Sequence, residues 1–174
     1  MLRVLTVMLF VLALSVPAHA EENAIMMLVI DKDPKGTNVR DEPGGKVVRV
    51  IPGAPKTDAE IEMRGVEVVR GQKGWFNVRL ADGTEGWMHR SVLGACASAT
   101  EDGDPHIFSD PDFSSRSVQI KDGTRLFFEN GPVMGSNSTW AKMTYVDASG
   151  RKATGWMPQE CLLSNPYSDC WTGK

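Results

Sequence analysis

Four tryptophans, Trp75, Trp87, Trp140 and Trp156, are the side chains best suited to contact chemistry. An exposed indole offers a flat apolar face to an extended peptide and an N–H to donate. The competing use is packing, because a unit of about 70 residues needs every large side chain it has. Trp87 and Trp156 each follow a glycine at a hairpin end, a position that favours packing. Trp75 and Trp140 open their strands near the loop end, where an indole can line a groove.

Nucleophilic chemistry would draw on Cys96 and His106, with Asp102 and Asp104 between them. A catalytic thiol of this kind sits at a helix N-terminus that depresses its pKa, and no helix begins here. The expectation is therefore a non-enzyme. A metal site would draw on His89, His106, the cysteines and the acids Glu101, Asp102 and Asp104. These acids lack the ligand spacing of a calcium loop, and no Cys-x-x-Cys pair is present for zinc. No metal and no cofactor are expected.

The elements that position these residues come from a repeat. Gly74–Gly94, GWFNVRLADGTEGWMHRSVLG, finds a looser echo in Thr139–Leu163, TWAKMTYVDASGRKATGWMPQECLL. Each copy begins with a tryptophan on an alternating strand, turns at an Asp/Gly segment and ends in Gly-Trp-Met. Self-similarity of this kind means a chain built from copies of one unit. Elsewhere the chain reads as short strands between turn residues, the pattern of small barrels. The fold expected is all-β, with two tandem small barrels. Residues 58–64 read as an extended loop and residues 130–139 as a Gly/Ser/Asn loop. His106-Ile107-Phe108 takes the place in the second copy that Asn38-Val39-Arg40 holds in the first.

The domain boundaries expected are a leader at 1–20, a first barrel at 21–94, a second at 95–163 and a tail at 164–174. The leader reading rests on Arg3, the apolar run Val4–Leu14 and the small-x-small Ala18-His19-Ala20. It implies an exported chain, periplasmic or secreted, with no stable membrane anchor after cleavage. The formal charge is −3, and −4 once Arg3 leaves with the leader. Mild scattered acidity without a basic stripe argues against nucleic acid as a partner. Export makes a disulfide the default for Cys96, Cys161 and Cys170. A bridge from Cys96 would join the ends of the second unit, and Cys161–Cys170 would pin the tail; the pairing stays open.

The first unit resembles the bacterial SH3 domain, SH3b. The resemblance is carried by Asn38-Val39-Arg40, Pro43-Gly44, Val66–Val69, Gly74-Trp75-Phe76-Asn77-Val78 and Gly86-Trp87-Met88. It covers about Ile25 to Gly94 and departs in a long insert between Ile51 and Gly65. The second unit looks like a divergent copy that keeps Asp110-Pro111, Gly123-Thr124, Trp140 and Gly155-Trp156 but lacks the Asn-Val-Arg signature. The resemblance implies five-stranded, partly open barrels used as attachment modules, some of which bind peptidoglycan peptides. The groove candidates are then Asn38, Arg40, Trp75, Asn77 and Trp140. Lys56, Arg64 and Lys73 flank that groove and could draw a carboxylate, although soluble loop surface is the commoner use of such residues. The alternative is an interaction module docking onto another envelope protein, its groove vacant or plugged by the insert or the tail.

Overall fold

A computed structural model describes residues 23–101, 103–147 and 149–167; the expected leader and Cys170 lie outside the described residues. Alternating side chains and turn residues give β1 (Ile25–Val29), β2 (Thr37–Arg40), β3 (Val47–Ile51), β4 (Gly65–Gln72), β5 (Trp75–Leu80) and β6 (Glu85–His89). A 3-10 turn at Arg90–Val92 leads into β7 (Leu93–Ala97). Then follow β8 (His106–Phe108), β9 (Ser117–Gln119), β10 (Arg125–Gly135), β11 (Ser138–Val146) and β12 (Lys152–Pro158). A second 3-10 turn, Gln159–Cys161, leads into β13 (Leu162–Leu163). Among the described residues no helix is long and apolar enough to cross a membrane.

The protein is all-β, and its 13 strands form one antiparallel sheet that does not close on itself. The order is β3-β2-β6-β5-β4-β1-β7-β10-β11-β12-β8-β9, with β13 paired to β7. Counted from β7, the second half runs first, fourth, fifth, sixth, second, third. The first half, read outward from β1, runs in that same order. The repeat seen in the sequence is thus a repeat of topology. Its register also agrees: Arg40 pairs with Trp87, and Phe108 with Trp156.

The halves meet at β7. On one edge β7 pairs with β10, setting Gly94 opposite Phe127 and Leu126 opposite Ala95. On its other edge Leu93 and Gly94 pair with β1, and Cys96 and Ala97 pair with β13. So β7 closes the first half and opens the second, and β13 repeats the closing role. All five of its residues are buried. One core crosses this strand, with Ile25, Met27 and Met88 on one side and Leu126, Met143 and Met157 on the other. Phe76 meets Phe128 edge-on across the junction, ring centroids 4.6 Å apart.

Two sequence expectations are corrected. Residues 58–64 do not form an extended loop: α1 (Asp58–Glu62) begins at a reciprocal cap, in which Thr57 Oγ1 accepts from Glu60 N–H and Glu60 reaches back to the Thr57 N–H. That Thr-x-x-Glu spacing was present in the sequence as a helix-start signal. Residues 130–139 are not one loop either, because β10 continues to Gly135. Register shifts at Phe128/Asn130 and Asn130/Val133 let the strand carry Gly131 and Pro132 without breaking its pairing to β11.

Gly94 should be the least replaceable small residue of the junction. A Cβ there would stand 2.5 Å from the Leu126 carbonyl oxygen and 3.1 Å from the Ile30 side chain. Gly94→Ala is expected to cost about 1–3 kcal/mol through overpacking. Gly65→Ala, whose Cβ would meet Pro166 at 3.4 Å, should be tolerated. Urea denaturation of both variants checks the pair.

Candidate functional site

The outer face of the first half carries rows of side chains that cross β4, β5 and β6. Cross-strand pairing sets Trp75 beside His89 and Gln72, Asn77 beside Trp87 and Arg70, and Arg79 beside Glu85 and Glu67. Trp75 is half-buried and meets the His89 ring at 5.3 Å. Arg79 holds Glu85 at 3.0 Å and Glu67 at 3.1 Å, and these bonds raise its guanidinium pKa. The second half repeats the frame with other chemistry. Lys142 stands opposite Trp156, where the first half has Asn77 opposite Trp87.

A cleft of 730 Å³ opens between the β4–β5 hairpin, the end of β6 and the outer face of β10, β11 and β12. That volume is in the range of small-ligand pockets, about 300–1,000 Å³. Lys73, His89 and Arg90 face it from the first half; Glu129, Asn130 and Lys142 face it from the second. Phe76 contributes its apolar surface. Its ring also explains Gly71, where a Cβ would fall 2.2 Å from the ring edge.

Local structure aims each of these groups. Lys73 and Gly74 form the two-residue turn between β4 and β5, both with positive φ, 52° and 82°. Such turns match the twist of a hairpin and favour Asn, Asp or Gly at their first position, so a lysine there is held at a steric cost. Glu129 is the extra residue of the β10 bulge, between the pairs Phe128–Met143 and Asn130–Lys142. A bulge re-aims a side chain, and Glu129 reaches Arg90 across the junction as an ion pair. His89 Nδ1 accepts from Ser91 N–H at 3.3 Å. In the neutral ring that leaves the proton on Nε2, the nitrogen beside Gly74. Lys142 holds its ammonium 5.8 Å from the centre of the Trp156 ring.

The five residues expected to form one groove are divided by the structure. Trp75 does not line the cleft but meets the ring of His89, which does. Asn38 is exposed on β2, and Arg40, on the same face, donates to the Gly45 carbonyl at 2.6 Å. Asn77 is buried, and its Nδ2 donates to the Gly86 carbonyl at 3.2 Å, so it ties β5 to β6. Trp140 is not at a groove surface: it is fully buried. The loop after β8 brings Phe113 onto its ring at 4.7 Å, and Phe108 meets it edge-on at 5.4 Å. Trp87 and Trp156 are half-buried. Lys56 and Arg64 do not line the cleft, whereas Lys73 does.

Sequence reasoning missed Arg90, Glu129, Asn130 and Lys142. Lys142 had a readable signal, since the Trp75/Trp140 alignment sets it where the first copy has Asn77. The bulge that turns Glu129 toward the cleft had none.

The cysteine–histidine pair weighed from the sequence is not assembled as a site. Cys96 lies on β7 and His106 on β8, with β10, β11 and β12 between them in the sheet. His106 Nδ1 instead shares a hydrogen bond with Ser117 Oγ at 3.1 Å. Among the described residues no three His, Cys, Asp or Glu side chains converge as around a metal ion. Cys161 carries a free thiol, which removes the bridges drawn through it; a Cys96–Cys170 bridge reaches outside the described residues. Burial, and then the neighbouring Glu160 carboxylate, pushes the Cys161 thiol pKa up. Its alkylation by iodoacetamide should therefore be slower at pH 8 than that of a free thiol, and should rise with pH beyond the ordinary thiol range. A mass-spectrometric time course across pH checks this, and Glu160→Gln should speed the reaction. The chain matches no model of a known protein family and no curated protein.

Proposed function

We propose that this chain is an exported, non-catalytic binding module of two tandem SH3-like barrels that holds an extended peptide or peptidoglycan strand in the cleft. The observation that carries the reading is the cleft itself, lined from both halves and by three cations, with Trp75 against His89 of its lining. The residues expected to plug a groove support it by lying elsewhere. Arg64 binds the insert back onto the carbonyls of Val29, Asp31, Pro52 and Gly53. The tail reaches α1, where the Tyr167 hydroxyl lies 3.3 Å from the Asp58 carbonyl and from Glu62. Neither the insert nor residues 164–167 of the tail line the cleft. In this reading the ligand passes Trp75 onto the outer face that carries Trp87, Arg40 and Asn38.

The second reading is docking onto an envelope protein. What favours it is β3, an end strand of the sheet that exposes Val47, Val48 and Val50 at 44–52%. An open edge of this kind is a template for a further strand.

Co-sedimentation with insoluble peptidoglycan sacculi separates the two. Trp75→Ala should bind about tenfold more weakly, the loss of ~1.4 kcal/mol expected for one stacked indole. Val48→Lys on β3 should leave binding unchanged. If the folded wild type stays in the supernatant, the wall-binding reading fails and envelope docking replaces it.

A further inference from the structure

Resting on that reading of the cleft, we propose that its recognition element is a free carboxylate at the end of a peptide, held between Lys73 and Lys142.

The charge inventory leads there. The cleft has three cations, Lys73, Arg90 and Lys142, and one carboxylate, Glu129. Glu129 is already committed to Arg90. Among the described residues neither Lys73 nor Lys142 has an ion-pair partner. Two ammonium groups facing one partly enclosed space repel each other, so an incoming anion relieves repulsion as well as gaining attraction.

Backbone geometry makes the same point independently. Lys73 sits at φ 52° in a turn where Asn or Gly would be relaxed. Backbone strain retained at one residue is a pointer to use, because nothing in the hairpin needs that side chain for packing. Lys73 is exposed. What the strained position does achieve is an ammonium at the rim of the cleft.

The remaining groups define the ligand class. An arginine fork takes carboxylate or phosphate and a lysine meets either as a point charge, so the neighbours of the lysines select the class. Here the one arginine is occupied by Glu129, and the free cations are lysines, which act as point charges. Around them lie the His89 Nε2 side, the Asn130 amide and the Phe76 ring. A carboxylate attached to an amide backbone and a small apolar side chain matches this set. A neutral polymer leaves both lysines unpaired.

The test is an NMR titration of the 15N-labelled protein with N-acetyl-alanyl-alanine and, separately, with its C-terminal amide, at matched ionic strength. The acid should shift the amides of Lys73, Gly74, Asn130 and Lys142 saturably, and the amide form should not. Lys142→Ala should weaken the acid by about fivefold. Lys73→Asn, which relaxes the turn, should weaken it without lowering the melting temperature, so lost binding cannot be blamed on lost folding. Equal shifts from acid and amide, no shifts from either, or an unweakened Lys73→Asn variant overturn the proposal. Sacculi that sediment the protein while acid and amide behave alike would sink the carboxylate and leave wall binding. Acid-specific shifts without sacculus binding would do the reverse.

Discussion

Everything in this molecule depends on one strand being used twice. β7 is the closing strand of the first repeat and the opening strand of the second. A strand with neighbours on both edges and side chains buried on both faces has no room for polar substitution. The five residues Leu-Gly-Ala-Cys-Ala meet that demand. Small residues matter as much as apolar ones here, since β1 and β10 approach Gly94 from either edge. The consequence is one core and one open sheet, so the relative placement of the halves is set by hydrogen-bond register rather than by a linker. A cleft between two repeats can be a defined site only under such a constraint.

Given that frame, the repeats have diverged on their outer faces while keeping their inner ones. Val78 and Leu80 stay in the first core as Met143 and Tyr145 stay in the second. Outward, Trp75 is half-buried against His89 whereas Trp140 is roofed by Phe113. The bulge recurs as well. On β4 the extra residue is Val69, which is buried; on β10 it is Glu129, which reaches Arg90. Roofing Trp140 has a cost, because its indole N–H finds no acceptor among the described residues. An unmet buried donor costs about 1–3 kcal/mol, a range matched by two ring contacts of about 0.5–1.5 kcal/mol each. Asn77 and Lys142 show the divergence most plainly. One amide is spent on joining strands, and the ammonium at the equivalent position lies 5.8 Å from the centre of the Trp156 ring.

The all-β class, the repeat and the equivalence of Asn38-Val39-Arg40 with His106-Ile107-Phe108 were readable because strand patterning has a period of two. Asp82-Gly83 marked its hairpin because positive φ favours glycine, whereas Gly71–Gly74 reads as a loop although β4 runs on to Gln72. The cleft was not readable, because it is made between repeats and depends on the order in which strands meet. Nothing local in Glu129 says that it will stand out of register. Trp140 failed for a related reason, since its cover comes from Phe113 on a distant loop. α1 was missed although its capping box was present, because Ala59, Ile61 and Met63 alternate and masked the Thr57–Glu60 signal.

The insert adds a last constraint, on what the cleft is kept free from. Thirteen residues lie between Ile51 and Gly65, enough chain to fold over a neighbouring surface. Two devices prevent that. Arg64 donates to carbonyls of Val29 and Asp31 at 2.6 and 3.1 Å, and more weakly to those of Pro52 and Gly53, which fastens both ends of the loop beside β1. Partial burial lowers the pKa of this guanidinium, and the charge of Asp31 opposes that shift. An arginine remains protonated through such an environment, so the clamp does not loosen over physiological pH. Tyr167 then meets α1 of the same insert, its hydroxyl 3.3 Å from the Asp58 carbonyl and from Glu62, so the insert and the described start of the tail lie against each other and not in the cleft.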